Sequence, residues 1–335
     1  MNLKLKTHPA TFAVVICGPS ASGKTSTAIN LANKINGEII SADSRQVYRY
    51  LDIGTNKEGI FSKEKDCRIA SNIPQHLTDI INPDEFFDAG KFVELAKEKI
   101  CEIINNGKVP IIVGGTGLYI KALTEGLAPA PPRDNELRAQ LNSIVETHGL
   151  KPLYEELKKV DADLAEKNRQ NPQRLIRSIE VLRLCGKSPS QLSKENKPLQ
   201  KELFIKFALK TNRDILYKKI NNRTDEMLKQ GLIDETKKVI AMGYAKGSAG
   251  LKTIGYKESV LFLDGKLTLK QTAELIKTKT RNYAKRQLTW FAKDNTINWI
   301  DPSLGISQQI SQIIITANKK LPQKKSPYKI FNFSD

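Results

Sequence analysis

Residues 18–25 read Gly-Pro-Ser-Ala-Ser-Gly-Lys-Thr and follow directly on the apolar run Phe12–Cys17. A strand, then G-x-x-x-x-G-K-[ST], then a helical pattern leaves few folds open. The chain must present backbone N–H groups to an anion at the end of a strand. Gly18 and Gly23 let the backbone turn, and Pro19, Ser20, Ala21 and Ser22 form the wall between them. Lys24 supplies a cation for the terminal phosphate, and the Thr25 hydroxyl is a candidate Mg²⁺ ligand. The motif grips a polyphosphate. It leaves open whether a phosphoryl group moves or the phosphate is the handle of another group.

The pattern that follows alternates strand and helix. Helical spacing of Ala28, Leu31, Ala32 and Ile35 predicts a helix over 25–36, stopped at Gly37. Short strands are predicted over 38–42 and at Ile80-Ile81, a helix over 89–106, and a strand over 109–113. This predicts an α/β fold: a P-loop-type parallel sheet with helices on both faces. At Pro129-Ala-Pro-Pro132 the character changes to charged and helical, and Leu203–Leu209 reads as a strand again. The expected organisation is a core over 8–130, an inserted all-helical subdomain over 131–201, a return to the core with a basic helical region over 202–318, and a mobile basic tail over 319–335. In the return segment helices are expected over 215–230, 232–242 and 270–293, with a strand over 296–300.

Charge is distributed unevenly. Residues 1–130 hold 15 Lys and Arg against 14 Asp and Glu, whereas 131–335 hold 39 against 22. The positive field therefore lies behind the phosphate loop, which points to a polyanionic macromolecule as a second substrate. No apolar run approaches the length of a membrane span, and the basic first nine residues lack an apolar signal segment. Cys17, Cys67, Cys101 and Cys185 are scattered, which argues against a metal or disulfide framework and fits a cytoplasmic chain.

Several residues can carry chemistry. The strand over 109–113 ends in Gly114-Gly115, not in the acid that most nucleotide hydrolases with this loop place there. Asp43, after Ile39-Ile-Ser-Ala42, is the comparable carboxylate; water-mediated metal binding, general-base action and helix capping all remain open to it. Thr116 in Gly114-Gly-Thr-Gly117 could bond a leaving oxygen. Arg213 and Arg223 could neutralise a diphosphate or lie on a solvated face. Lys277, Arg281 and Lys285 recur at i, i+4 with Tyr283, Trp290 and Phe291 interleaved, as in a nucleic-acid backbone contact or a solvated face. Gln173-Arg174-Leu175-Ile176-Arg177 is a weaker case of the same kind. His8, His76 and His148 have no partner spacing and read as structural.

With these residues in hand, the chain resembles the tRNA dimethylallyltransferases (tRNA isopentenyltransferases) of bacterial type. The likeness runs through residues 18–25, Ser-Ala-Asp-Ser-Arg-Gln-Val-Tyr at 41–48, Asp-Ile-Gly-Thr at 52–55, Val-Gly-Gly-Thr-Gly-Leu-Tyr at 113–119, 173–177, Gly-Tyr-Lys-Glu at 255–258 and Tyr-Ala-Lys-Arg-Gln-Leu-Thr-Trp at 283–290. It departs at Gln75-His76, where the family often carries two histidines.

The resemblance implies transfer of a dimethylallyl group from dimethylallyl diphosphate to the exocyclic amine of the adenosine 3′ to the anticodon. Asp43 would take the amine proton. Thr116 and Arg223 would stabilise the diphosphate held by residues 18–25, with Mg²⁺ near Thr25. Asp43, Ser44, Arg45, Gln46, Thr116, Arg138, Gln173–Arg177, Lys277, Arg281 and Lys285 would contact the anticodon stem-loop of tRNA. A cytoplasmic monomer is expected. An adenylate isopentenyltransferase, a small-molecule P-loop kinase and a non-catalytic RNA-binding module are the alternatives; the basic helical regions and the set of candidate catalytic residues argue against them.

Overall fold

The computed structural model describes residues 12–194 and 203–320. Strand β1 (Ala13–Cys17) is buried at every position, and its two faces serve different cores. Val14 and Ile16 pack with Ala28, Leu31 and Ala32 of α1 (Lys24–Ile35). Ala13, Val15 and Cys17 pack with Phe92, Ala96 and Ile100 of α2 (Ala89–Asn105). A strand covered on both faces has no need to alternate, which is why its sequence is a continuous apolar run.

The other strands are β2 (Gly37–Ser41), β3 (Ile60–Ser62), β4 (Cys67–Ala70), β5 (Ile73–His76), β6 (Val109–Gly114), β7 (Phe204–Leu209) and β8 (Asn298–Ile300). They form one sheet in the order β3-β4-β5-β2-β6-β1-β7-β8. The run from β5 to β8 is parallel, and β3-β4-β5 is antiparallel. The β3–β4 hairpin has no counterpart in the sequence reading. Nor does Ile80-Ile81 form a strand: Leu77 and Asp79 take positive φ (60° and 58°), so the chain turns out of β5, and Ile81 keeps only a single bridge to Tyr48.

Register fixes what meets at the carboxyl edge. Cys17 lies opposite both Gly114 and Ala208, and Ser41 lies opposite Val113. The loops leaving β1, β2 and β6 therefore emerge side by side, where parallel sheets bind ligands.

The described residues divide into two compact units, one taking the chain to Thr124 and again from Lys201, the other spanning Glu125–Gln200. The second begins six residues before the expected 131. It consists of α4 (Asn135–His148), α5 (Lys151–Lys158), α6 (Ala162–Asn168), α7 (Pro172–Cys185) and α8 (Pro189–Lys194). α3 (Gly117–Glu125) precedes it. Asp134, Asp161 and Asn171 cap α4, α6 and α7 through their side chains. Leu141, Leu153, Leu157, Leu175 and Ile179 form its own core.

The return segment adds α9 (Arg213–Lys229), α10 (Leu232–Ala241), α11 (Tyr256–Leu263), α12 (Leu269–Phe291) and α13 (Ile306–Lys320). Met227, Leu232, Val239, Tyr256 and Ile276 enclose Val47, Tyr48 and Leu51 in a third core. The basic helices are thus built onto the loop that follows β2. Helix α13, unforeseen as a helix, covers the α1 face through Ile313, Ile314 and Ala317. Lys319 and Lys320, assigned to the tail, close α13; residues 321–335 of that expected tail, like His8, lie outside the described residues.

Candidate active site

The loop after β6 needs its glycines because two neighbours press on it. A Cβ on Gly114 would stand 2.0 Å from the Ala42 carbonyl oxygen, and one on Gly115 would stand 2.2 Å from Gln287 Nε2. This close approach joins the loop to the end of β2. Thr116 N–H donates to Ala42 O at 3.2 Å, and Ser44 N–H donates to Thr116 Oγ1 at 3.0 Å. The Thr116 hydroxyl proton is thereby left to point elsewhere. Asp43 Oδ1 accepts from Arg45 N–H at 2.8 Å in a tight turn. No helix starts there, so the capping role open to Asp43 is excluded. Its Oδ2 has no hydrogen-bond partner among the described residues.

These loops line a cavity of about 320 Å³. Five cations face it, Lys24, Arg45, Arg223, Lys252 and Arg286, against the single carboxylate of Asp43. Lys24 Nζ donates to Pro19 O at 3.1 Å. Desolvation pulls the Lys24 ammonium down to about 8; Asp43 opposes this and Arg223 reinforces it. Burial likewise lowers Arg223, with Asp43 opposing. Among the described residues neither cation has a carboxylate within ion-pair distance. Both are desolvated, with Asp43 as the one carboxylate that acts on them; Lys24 stands at the N-terminal end of α1 and Arg223 comes from α9. This arrangement is electrostatically complete only with an anion in it.

The rest of the wall is mixed. Ile39, Val113, Met227, Ile254 and Ile276 give it an apolar side. Gln75 Nε2 and Thr253 Oγ1, on the same wall, are buried without a partner. Glu235 of α10 accepts from Asp52 and Ile53 N–H at 3.0–3.1 Å, and Gly54 N–H donates to Tyr256 Oη at 2.9 Å. These bonds fix the 52–56 segment at the rim. Gln46 bonds Ser41 and the carbonyls of Thr55 and Asn56, so its amide braces that rim.

Residues 46–294 match the model of a family described as IPP transferase. The chain belongs to this family. It is 45% identical over 287 residues to a tRNA dimethylallyltransferase of Endomicrobium trichonymphae, covering 86% of this chain and 94% of that one. It is 42% identical to tRNA dimethylallyltransferase 1 of Syntrophotalea carbinolica, covering 90% and 94%. Among solved structures it is similar to the full-length tRNA isopentenylpyrophosphate transferase of Bacillus halodurans (TM-score 0.66, 37% identity, 92% and 96% covered). It is also similar to a eukaryotic dimethylallyltransferase studied acting on tRNA (TM-score 0.72, 29% identity, 90% and 77% covered).

In this IPP transferase the sequence-predicted residues divide three ways. Lys24, Thr25, Ser20, Asp43, Arg45, Gln46 and Arg223 line one cavity, with Thr116 bonded to its rim at Ser44. Arg213 does not join Arg223; it stacks on Tyr217, with its Nε donating to the phenol at 3.0 Å. Within the helical unit, Leu175 and Ile176 cannot contact tRNA through their side chains, because both are buried in that unit's core. Arg138 and Arg177 clamp the wholly buried Glu180 at 2.8 and 2.6 Å, a structural task that the spacing did not reveal. Gln173 and Arg174 are exposed. On α12, Lys277 is held by Asp225 (2.8 Å) and Glu274 (3.3 Å), and Arg281 donates to Asn221 (2.7 Å). Of that stripe Lys285 alone is exposed without an ion pair among the described residues. His76 is structural, bonding Glu38 at 2.6 Å in the sheet.

The sequence reading missed several residues of the cavity wall or its frame, Lys252 and Thr253 among them, and two of these, Tyr283 and Gln287, lie on α12. Tyr283 lines the cavity beside Thr116 and Asp43; burial first, then Asp43, raises its phenol. Gln287 lies on the buried face of α12 with Ala284 and Phe291. A lone amide at that helical phase was the available signal.

Proposed function

We propose that this chain transfers a dimethylallyl group from dimethylallyl diphosphate to the exocyclic amine of the adenosine 3′ to the anticodon of tRNA, releasing diphosphate. The observation that carries the reading is the cavity's charge pattern: among the described residues five cations face one carboxylate, and no second acid is placed to activate water. A leaving group with several negative charges needs the first, and a neutral amine nucleophile needs one base and no more.

The amine nitrogen forms its bond to C1 of the allyl group while the C1–O bond breaks, and the electron pair leaves with the diphosphate. Lys24, Arg223 and the α1 N-terminus take up the developing charge, and the Thr116 hydroxyl, which is hydrogen-bonded with Tyr283, turns its proton to a leaving oxygen. Asp43 Oδ2 accepts the amine proton. The apolar wall of Ile39, Val113, Met227, Ile254 and Ile276 suits the C5 chain and excludes water from it. The target base must leave the anticodon-loop stack to reach Asp43, at a cost of about a few kcal/mol.

Mg²⁺ fits this site only as a guest of the substrate. No cluster of three or more His, Cys, Asp or Glu able to hold a metal exists among the described residues. The Thr25 hydroxyl, together with a bound diphosphate, would hold Mg²⁺. When bound it would offset charge on the diphosphate. For tRNA, exposed Lys285 on α12 and exposed Gln173 and Arg174 on the helical unit are candidate contacts, with Arg286, whose guanidinium lies over the Tyr283 ring, between cavity and surface. No helix among the described residues is long and apolar enough to cross a membrane; action as a cytoplasmic monomer is part of the same proposal.

Incubation with labelled dimethylallyl diphosphate and either tRNA or AMP tests the reading. Label is expected in tRNA. Label entering only AMP, or neither, overturns it.

A further inference from the structure

Gln287 is buried, yet both ends of its amide are used, and they are used on two different loops. Ser20 N–H donates to Gln287 Oε1 at 2.9 Å, and Gln287 Nε2 donates to Gly115 O at 2.8 Å. The orientation is forced, since a flipped amide would set donor against donor at Ser20 and acceptor against acceptor at Gly115. Gly115 has no side chain because the amide occupies that space; its Cβ would lie 2.2 Å from Nε2. One side chain thus spans the phosphate loop, the loop that carries Thr116, and α12, which also carries Tyr283, Lys285 and Arg286.

The bond at Ser20 has a consequence for the anion cradle. A phosphate loop holds its ligand with backbone N–H groups. Here the Ser20 N–H is taken by Gln287, and Ser22 N–H is turned to Pro19 O at 3.3 Å. The ligand is left with amides nearer the α1 N-terminus and with the Lys24 ammonium. The first half of the loop is anchored by these two bonds.

From this geometry we infer that Gln287 is a positioning residue, one that holds the phosphate loop and Thr116 at a set separation across the leaving diphosphate and ties that separation to α12. Its position does not depend on tRNA contact by its own side chain. The inference rests on the diphosphate-leaving reaction proposed above. If the two loops drift apart by about an ångström, the leaving group loses alignment, and misplacement on that scale can cost about 10²-fold in rate.

The test uses the full-length enzyme and two variants. Gln287→Met keeps the volume and loses both bonds. It should bind inorganic pyrophosphate about five- to ten-fold more weakly and lower kcat by about 10- to 100-fold, with Kd for tRNA within about two-fold of wild type. Gln287→Glu supplies a readout that a purely structural role would not move. Its carboxylate still accepts from Ser20 but faces the Gly115 carbonyl with another acceptor, so its pKa is raised by burial. Protonation restores a donor to Gly115. The ratio of Gln287→Glu to wild-type kcat should therefore climb as pH is lowered from about 8.5 to about 6.

Wild-type kcat and pyrophosphate affinity in Gln287→Met overturn the inference, and so does a pH-independent ratio for Gln287→Glu. If Gln287→Met does not fold, the Gln287→Glu ratio decides alone. A wild-type enzyme that neither binds pyrophosphate nor labels tRNA instead refutes the functional reading, which keeps the two failures distinct.

Discussion

Lys24 should make donor binding proton-linked near neutral pH. Its ammonium is pulled from 10.5 to about 8 by desolvation, with Arg223 adding to the effect and Asp43 resisting. A bound diphosphate reverses the balance, because an adjacent anion favours the charged form. The sign follows. The ligand-free site loses its Lys24 proton as pH rises through 8, and the complex keeps it. Donor affinity must therefore fall as pH climbs.

From a site pKa near 8, about nine-tenths of the sites are charged at pH 7 and about one-tenth at pH 9. Kd for dimethylallyl diphosphate, measured without tRNA, should rise about tenfold over that interval. The ligand's own last phosphate ionisation, near pH 6, is already about nine-tenths complete at pH 7 and alters affinity little above it. Calorimetry at pH 8 in two buffers of different ionisation enthalpy should show uptake of about half a proton per site. Arg223→Gln should move the titration upward, since it removes a repelling cation, and Asp43→Asn should move it downward. A Kd that is flat from pH 7 to 9, with equal heats in both buffers, would falsify the claim that Lys24 is desolvated and poised for the anion.

The remaining expectations concern single side chains. Asp43→Ala should cut single-turnover transfer by about 10²–10⁴-fold while tRNA affinity stays within a few-fold, because a general base acts in the transition state; a near-normal rate removes Asp43 from the chemistry. Thr116→Ala and Lys24→Ala should each weaken pyrophosphate binding in competition assays, and equal competition against wild type and both variants would place the site elsewhere. Lys285→Ala should make the salt slope of tRNA binding shallower by about 0.7–0.9, whereas Lys277→Ala should change it less, since Asp225 and Glu274 already neutralise that ammonium. In the helical unit, burial would raise Glu180, but Arg138 and Arg177 pull it down to about 2. Its stabilising contribution is present above pH 4.5 and lost as pH falls toward 2. Arg138→Ala should cost that unit about 2 kcal/mol in denaturant melts, because Arg177 remains.

Much of the core was readable along the chain. An apolar strand, a glycine-bounded loop and a helix must adjoin in space because they adjoin in sequence, and local spacing alone places Lys24 and Thr25 at the helix start. The return strand at 204–209 was legible for a similar reason: an apolar run after a charged helical stretch has few places to go other than the sheet. Ile80-Ile81 misled because the turn before it depends on the left-handed backbone of Asp79 and of Leu77, a residue type that seldom adopts it. The role of Glu180 was hidden because the Arg138 partner lies 42 residues away, and charge patterning registers only neighbours along one helix face.

By itself the sequence determined that a glycine-bounded loop of phosphate-binding type joins a buried strand to a helix, and which lysine and hydroxyl stand there, since those depend on contiguous residues. Tertiary structure alone decided which distant groups complete the site. The register of β1, β2 and β6 brings Asp43 and Gly114–Thr116 beside the phosphate loop, and α9 and α12 carry Arg223, Tyr283 and Gln287 to it. Burial then separated the arginines and lysines that face the cavity from those already spent on Glu180, Asp225 or Tyr217. A charge reads the same in a sequence whether its partner is a substrate or another side chain; the difference is desolvation and distance, and both come from the packed fold.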